Sequence, residues 1–177
     1  MRRVFHSLLL LLALPLSVWA AGELSNRPAP PFTLPDSQGR RVSLSDFKGK
    51  FLIIEFLSTT CPHCQKLAPV LESLRERFKG RLALLAIAAH PDSAATVAQF
   101  INSYKVAYPI LLDSDNRVVT AYLKPGPPRY SFSIPHLFLV DRTGHLRDDF
   151  SQNPSNAELF TIDGLGKLLE GYLGRRE

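Results

Sequence analysis

Two uninterrupted apolar segments limit the fold of this chain more than any other feature. Phe51–Leu57 and Leu82–Ala88 are apolar at nearly every position, which is typical of strands buried on both faces of a sheet. Between them lies a helical periodicity, whose core face is formed by Leu67, Val70, Leu71, Leu74 and Phe78. A strand, a helix and a strand in this order predict an α/β fold with neighbouring parallel strands.

The rest of the sequence predicts shorter elements around this unit. Turn-forming clusters at Asp36–Gly39 and Asp141–Gly144 each lie between two apolar runs and therefore predict hairpins. The other expected elements are helices over residues 93–104, 116–122 and 158–173 and a strand over residues 110–112. We therefore predict a central mixed β-sheet flanked by helices.

Length and composition exclude several classes of protein. The chain has 177 residues, which is the length of one ordinary domain and enough to form a core without disulfide staples. Its two cysteines cannot build a four-thiolate zinc site, and we expect neither a metal nor another cofactor. The net charge is +5, but no basic run is interleaved with aromatic residues, so a nucleic-acid partner is not expected. A monomer is expected.

The N-terminal residues have the pattern of an export signal. Arg2 and Arg3 precede an apolar run over residues 8–16, and Ala20 and Ala21 provide the small residues that a signal peptidase requires. We interpret residues 1–21 as a signal peptide, or alternatively as an uncleaved anchor, since residues 4–22 carry no charge. A proline-rich linker is predicted over residues 22–31 and a folded domain over residues 32–174. A periplasmic or otherwise exported location, where disulfides form, follows from this interpretation.

The sequence Cys61-Pro62-His63-Cys64 occurs where the first apolar strand gives way to a helix. Two residues between the cysteines, in a first helical turn, bring the sulfurs close enough to form a redox-active disulfide. Unpaired N–H groups and the positive end of the helix dipole favour a thiolate at Cys61. Pro62 suits a first turn, and His63 can supply a proton or positive charge to the Cys61 sulfur. Cys64 is expected to be more buried. A structural disulfide is the alternative, but so small a loop gains little from closure.

Glu55 is the one charged residue in the first apolar strand. A buried carboxylate is costly unless it is neutral or paired, and desolvation raises its pKa. Such a group could exchange a proton with Cys64 during disulfide exchange. The alternative is a glutamate on an edge strand that faces water.

Several segments together resemble the thioredoxin superfamily, and most closely its TlpA-type periplasmic thiol-disulfide oxidoreductases, which are related to the AhpC/TSA family. These segments are Pro30–Asp36, Val42–Lys50, Glu55–Phe56, the Cys pair, Tyr108–Asp113 and Ile134–Asp141. The resemblance implies a thioredoxin fold with an N-terminal β-hairpin and a central insertion. It also implies a cis peptide bond at Pro135 beside the Cys pair, with Ile134 offering backbone groups to a substrate. Glu55 would occupy the family's buried acidic position.

The sequence departs from the family pattern at several places. Thr60 stands where a tryptophan usually precedes the first cysteine, and no lysine occurs in Leu82–Ala88 to pair with the acid. His136 follows Pro135 where threonine or glutamate is commoner. The segment Lys124–Ser133 is longer than the compact pattern, and it is either a substrate-facing loop or an inert insertion. Asp92 loosely matches an acid that some relatives hold near the site; otherwise it is an ordinary acid at a helix start.

We therefore predict disulfide exchange on exported proteins that contain cysteines, with a membrane thiol-disulfide transfer protein as redox partner. The family frame favours a reductase, whereas the Pro-His pair, which resembles DsbA-type oxidases, favours an oxidase; we expect a reductase. A copper-binding or metallochaperone module is the alternative, in which Cys61, Cys64 and either His63 or His136 bind Cu(I). A peroxidase is a third interpretation, although Ile54 stands where peroxiredoxins carry a proline.

Overall fold

The computed structural model describes residues 24–123 and 133–174. Eight strands are present in these ranges: β1 (Arg27–Pro28), β2 (Thr33–Pro35), β3 (Arg41–Ser43), β4 (Phe51–Leu57), β5 (Leu82–Ala89), β6 (Ile110–Asp113), β7 (His136–Val140) and β8 (His145–Ser151). Four α-helices accompany them: α1 (Pro62–Arg77), α2 (Ala94–Tyr104), α3 (Arg117–Leu123) and α4 (Ile162–Leu173). Two 3₁₀ segments are Leu44–Phe47 and Pro154–Phe160.

Six strands form one mixed sheet in the order β1-β8-β7-β4-β5-β6. The strands β4, β5 and β6 run parallel, and β7, β8 and β1 continue the sheet with antiparallel pairings. The two apolar segments are therefore neighbours near the centre, where helices cover both faces. Every residue of β4 is buried, and in Leu82–Ala88 every residue but Ala83 is buried. The strands β2 and β3 pair separately as the predicted N-terminal hairpin. The predicted α/β architecture, a mixed sheet flanked by helices, is confirmed.

The two faces of the sheet carry separate apolar clusters. Alternate residues of β4 point to opposite faces, so Ile53 and Leu57 pack with α1, α2 and α4, whereas Ile54 and Phe56 pack with α3 and the N-terminal segment. Glu55 shares the face of Ile53 and Leu57. The first cluster therefore surrounds the carboxylate with apolar side chains.

The proline-rich segment differs from the prediction. Residues 24–31 belong to the folded domain, since β1 pairs with β8 and the side chains of Leu24 and Ala29 are buried. An edge strand of two residues needs backbone pairing on one side, which proline tolerates. The prediction of a linker over residues 22–31 was therefore wrong from Leu24 onward.

The C-terminal helix also differs from the prediction. The expected helix over residues 158–173 is divided into a 3₁₀ segment and α4. Thr161 separates them with extended backbone, and its hydroxyl accepts a hydrogen bond from the N–H of Gly164 at 3.1 Å. This N-cap begins a new helix because it satisfies an N–H that would otherwise lack a partner.

Two predicted segments lie outside the described residues: the signal peptide or anchor over residues 1–21 and nearly all of the loop 124–133. In the described ranges, none of the helices combines the length and the apolar character that a membrane crossing requires.

Candidate active site

Cys61 lies at the junction between β4 and α1. It is the N-cap residue of α1, and Pro62 follows at the first helical position. Its N–H donates to the carbonyl of Ser58 at 3.1 Å, while its own carbonyl accepts from Gln65 at 3.0 Å. The Cys61 side chain is partly exposed, and Pro62 and His63 are exposed beside it. The sulfur is therefore accessible at the positive end of a helix dipole, as the sequence predicts.

Cys64 lies one turn further into α1 and is fully buried. Both cysteines are free thiols in this structure. Burial raises the pKa of the Cys64 thiol, and the charge of Glu55 and the neighbouring Cys61 raise it further. The Cys64 thiol consequently needs a base before it can act as a nucleophile, whereas Cys61 can be reached from solvent.

The loop before β7 faces the Cys pair. The Cys61 thiol points at the carbonyl oxygen of Ile134, with the sulfur 3.8 Å from that oxygen. The peptide bond between Ile134 and Pro135 is cis, as the resemblance implied, and Pro135 is buried. Ile134 is half-buried, so its backbone borders the space in front of the exposed sulfur.

Glu55 is fully buried in the middle of β4, and an edge position facing water is therefore wrong. Its strand neighbours are Ala86 and Leu137, which supply no polar group from their side chains. Burial raises the pKa of Glu55 to about 8, and a hydrogen bond from Tyr108 opposes this rise. A carboxyl group with this pKa can gain and lose a proton near neutral pH.

Asp92 holds the turn that leads into Cys61. One carboxylate oxygen accepts from the backbone N–H of Thr59 at 3.0 Å, and the other accepts from the Thr59 hydroxyl and, at 3.2 Å, from Thr96. The carbonyl of Thr59 in turn accepts from the side chain of Gln65 at 2.9 Å. Asp92 therefore lies near the site, as the loose resemblance suggested, but it contacts Thr59 and Thr96 and not the cysteines.

His136 is buried and forms a pair with Asp149 of β8, with 3.2 Å between Nε2 and Oδ2. Its ring stacks on Phe138 at 4.6 Å between centroids. Asp149 also accepts from the N–H of Leu24 at 3.0 Å and the hydroxyl of Ser25 at 2.8 Å. Burial opposes ionisation, yet these hydrogen bonds lower the pKa of Asp149. His136 is thus engaged with β8 and the N-terminal segment.

The sequence analysis did not single out Thr59, Tyr108 or Asp149, which hydrogen-bond to Asp92, Glu55 and His136. Each acts through contacts with residues distant in the sequence, which no local spacing reveals. A signal existed for Tyr108 alone, because it begins the Tyr108–Asp113 segment on which the resemblance partly rests.

No group of three or more histidine, cysteine, aspartate or glutamate side chains that could hold a metal occurs in residues 24–123 or 133–174. His136, a ligand in the copper interpretation, is directed toward Asp149.

Comparisons with known proteins identify the family of this chain. A model of the AhpC/TSA family matches residues 25–149, which is more than half of the chain. The chain is 35% identical over 103 residues to the thiol-disulfide oxidoreductase ResA of Bacillus subtilis (strain 168), and this match spans 58% of each protein. It is 27% identical over 148 residues to ResA of Bacillus thuringiensis (strain Al Hakam), covering 83% of this chain and 75% of that relative.

A solved structure shows the same fold. It is a thiol:disulfide interchange protein of the thioredoxin family from Chlorobium tepidum TLS, with a TM-score of 0.70 and 19% sequence identity, covering 83% of this chain and 96% of that chain. The copper module gains no support from these relatives. The chain is therefore a member of the AhpC/TSA family and, within the thioredoxin superfamily, of the TlpA-like thiol-disulfide oxidoreductases.

Proposed function

We propose that this protein exchanges disulfides with exported, cysteine-containing proteins through Cys61 and Cys64, and that it acts as a reductase. One observation carries the proposal: an accessible cysteine caps α1, and a second cysteine lies buried one turn behind it, on the same face of the sheet as a buried carboxylate. This arrangement separates the sulfur that meets the substrate from the sulfur that completes the exchange.

In the reducing direction, the Cys61 thiolate attacks one sulfur of a substrate disulfide. The substrate S–S bond breaks, one substrate thiolate leaves, and a mixed disulfide forms. Cys64 then gives its proton to the Glu55 carboxylate and attacks the Cys61 sulfur. This releases the second substrate thiolate and leaves a Cys61–Cys64 disulfide. Two electrons have passed to the substrate, whose thiolates take up protons from water.

Ile134 and Pro135 support this chemistry from the loop that faces Cys61. The carbonyl of Ile134 lies within 3.8 Å of the Cys61 sulfur, so a substrate strand that pairs with this backbone would bring its own sulfur close to Cys61. Pro62 and His63 are exposed beside Cys61 and would meet the same substrate. We infer that a membrane thiol-disulfide transfer protein then reduces the pair again.

Insulin reduction by the wild type and two single-cysteine variants tests the proposal. Cys61→Ala should abolish the activity, and Cys64→Ala should accumulate a mixed disulfide with substrate that is visible by mass spectrometry. Ser73→Ala on the exposed side of α1 is the control and should retain full activity. Equal activity of Cys61→Ala and wild type would refute the assignment. Copper bound one-to-one without insulin reduction, or rapid consumption of hydrogen peroxide, would favour the copper module or the peroxidase.

A redox titration against glutathione decides the direction of electron flow. A reduction potential below about −250 mV would support a reductase, and one near about −120 mV would identify an oxidase. The exported location rests on the N-terminal pattern of residues 1–21, and N-terminal sequencing of the secreted protein checks it directly.

A further inference from the structure

The carboxyl group of Glu55 lies in an environment that provides few hydrogen bonds and no opposite charge to stabilise its ionised form, among the residues that the structure describes. Burial is the main cause of its raised pKa, and in the described parts of the chain no cation contributes to its ionisation. No residue that the structure describes hydrogen-bonds to its Oε1 atom. Its Oε2 atom lies 3.5 Å from the hydroxyl oxygen of Tyr108, which is the polar contact that the structure gives this side chain. Among the described residues, Tyr108 is therefore the one whose hydrogen bond can act on the ionisation of Glu55.

Tyr108 is held firmly in the position from which it reaches Glu55. The residue before it, Ala107, donates its N–H to a carboxylate oxygen of Glu72 on α1 at 3.1 Å. The residue after it, Pro109, accepts from the N–H of Ala86 on β5 at 2.9 Å. The backbone is thus fixed on both sides to the two elements that flank Glu55, and the buried ring of Tyr108 packs in the same apolar cluster.

We propose that Tyr108 is the positioning residue of the buried acid: its hydroxyl donates a hydrogen bond to the Glu55 carboxylate and so stabilises the ionised form that receives the proton of Cys64. This inference rests on the proposed function of Glu55. A hydroxyl suits the task, because it donates to a carboxylate without adding a charge that would itself require burial. Burial also raises the pKa of Tyr108, so its proton remains in place as a donor.

The other described groups around Glu55 do not stabilise its ionised form by donating a hydrogen bond. From α1 comes the Cys64 thiol, which is the proton source, whereas the charge of Glu72, also on α1, acts on Tyr108. From β5 and β7, the residues paired with Glu55 are Ala86 and Leu137. From α4 come the apolar side chains of the same cluster. Among these neighbours, Tyr108 is consequently the uncharged residue that donates a hydrogen bond to the Glu55 carboxylate.

Infrared titration of the reduced protein tests the proposal. The protonated carboxyl of Glu55 gives a C=O stretch that is absent from Glu55→Gln, and this difference band follows the ionisation of this residue alone. Loss of one hydrogen bond to a charged group should reduce the ionised fraction of Glu55 at pH 7 by at least about tenfold in Tyr108→Phe. Because less Glu55 is ionised at a given pH, the second exchange step should reach half its maximal rate at a higher pH in Tyr108→Phe than in wild type.

Tyr122→Phe is the matched control. Tyr122 is also buried but packs in the cluster on the opposite face of the sheet, so its substitution should leave the Glu55 titration unchanged. A Tyr108→Phe titration that coincides with wild type, or that moves toward greater ionisation, would overturn the proposal.

Incorporation of 3,5-difluorotyrosine at position 108 provides a second test that keeps the shape of the side chain. The fluorinated phenol is a stronger donor, so the ionised fraction of Glu55 should increase, and an unchanged titration would contradict the proposal. Neither infrared measurement requires turnover. Failure of insulin reduction would refute the proposed function, whereas an unresponsive Glu55 titration would refute the role of Tyr108.

Discussion

Replacing Glu55 with glutamine should stabilise the reduced protein at neutral and alkaline pH and change its stability at pH 5 by less than about 1 kcal/mol. The pKa of Glu55 is about 8 in the folded state against an ordinary value of 4.5. Between these two values, the folded state holds a proton that the unfolded state has already released. The free energy of unfolding therefore falls as the pH rises across this window. Glutamine resembles the protonated acid in size and charge, so Glu55→Gln escapes this loss.

The magnitude follows from the difference between the two pKa values. At about 1.4 kcal/mol for each pKa unit, the advantage of Glu55→Gln reaches about 3 kcal/mol at pH 7 and about 5 kcal/mol above pH 8. Urea unfolding of the reduced proteins at pH 5, 7 and 9 measures it.

A control on an exposed residue separates this effect from general changes in charge. Glu170→Gln removes a partner of Arg77 at the surface of α4, where an ion pair contributes less than about 1 kcal/mol, and its effect should vary little with pH. If the stability difference between wild type and Glu55→Gln is the same at pH 5 and pH 9, the carboxyl does not carry a buried proton and the reasoning is wrong.

Three further substitutions test other contacts. Asp149→Asn should cost about 1–3 kcal/mol at pH 7 in urea unfolding. Because folding lowers the pKa of Asp149, this cost should disappear as the pH falls through that pKa, and a cost independent of pH would contradict the assignment. Asp92→Ala should speed amide exchange at Thr59 and slow insulin reduction; unchanged exchange would refute its hold on the turn. Leu71→Ala should cost about 2–5 kcal/mol in urea unfolding, and a loss below about 1 kcal/mol would contradict its core position.

Features set by local pattern could be predicted from the sequence. The strand β4 begins and ends at the predicted residues, since both of its faces are buried and every position had to be apolar except Glu55. The position of Cys61 at the start of α1 follows from the change of periodicity after Leu57 and from Pro62. The hairpin of β2 and β3 follows from its turn cluster.

Features set by contacts between distant residues could not be predicted. Tyr108 and Glu55 are 53 residues apart, and Thr59 and Asp92 are 33 apart, so no spacing rule joins them. The linker prediction failed for a related reason. Four prolines between Glu23 and Pro35 are typical of an extended segment, but whether such a segment is free or paired depends on β8, more than a hundred residues away.

The attachment of Leu24 and Ser25 to Asp149 has a geometric consequence if the protein is exported. If the apolar leader stays in the lipid bilayer after translocation, residues 22 and 23 alone separate it from the first docked residue. Three backbone steps join residue 21 to residue 24, and a fully extended chain spans at most about 3.6 Å per step, so this tether reaches about 11 Å. The domain would then be confined to the membrane surface, and it would meet chains as they emerge and partners in the same bilayer. Cleavage of the leader would release it to diffuse.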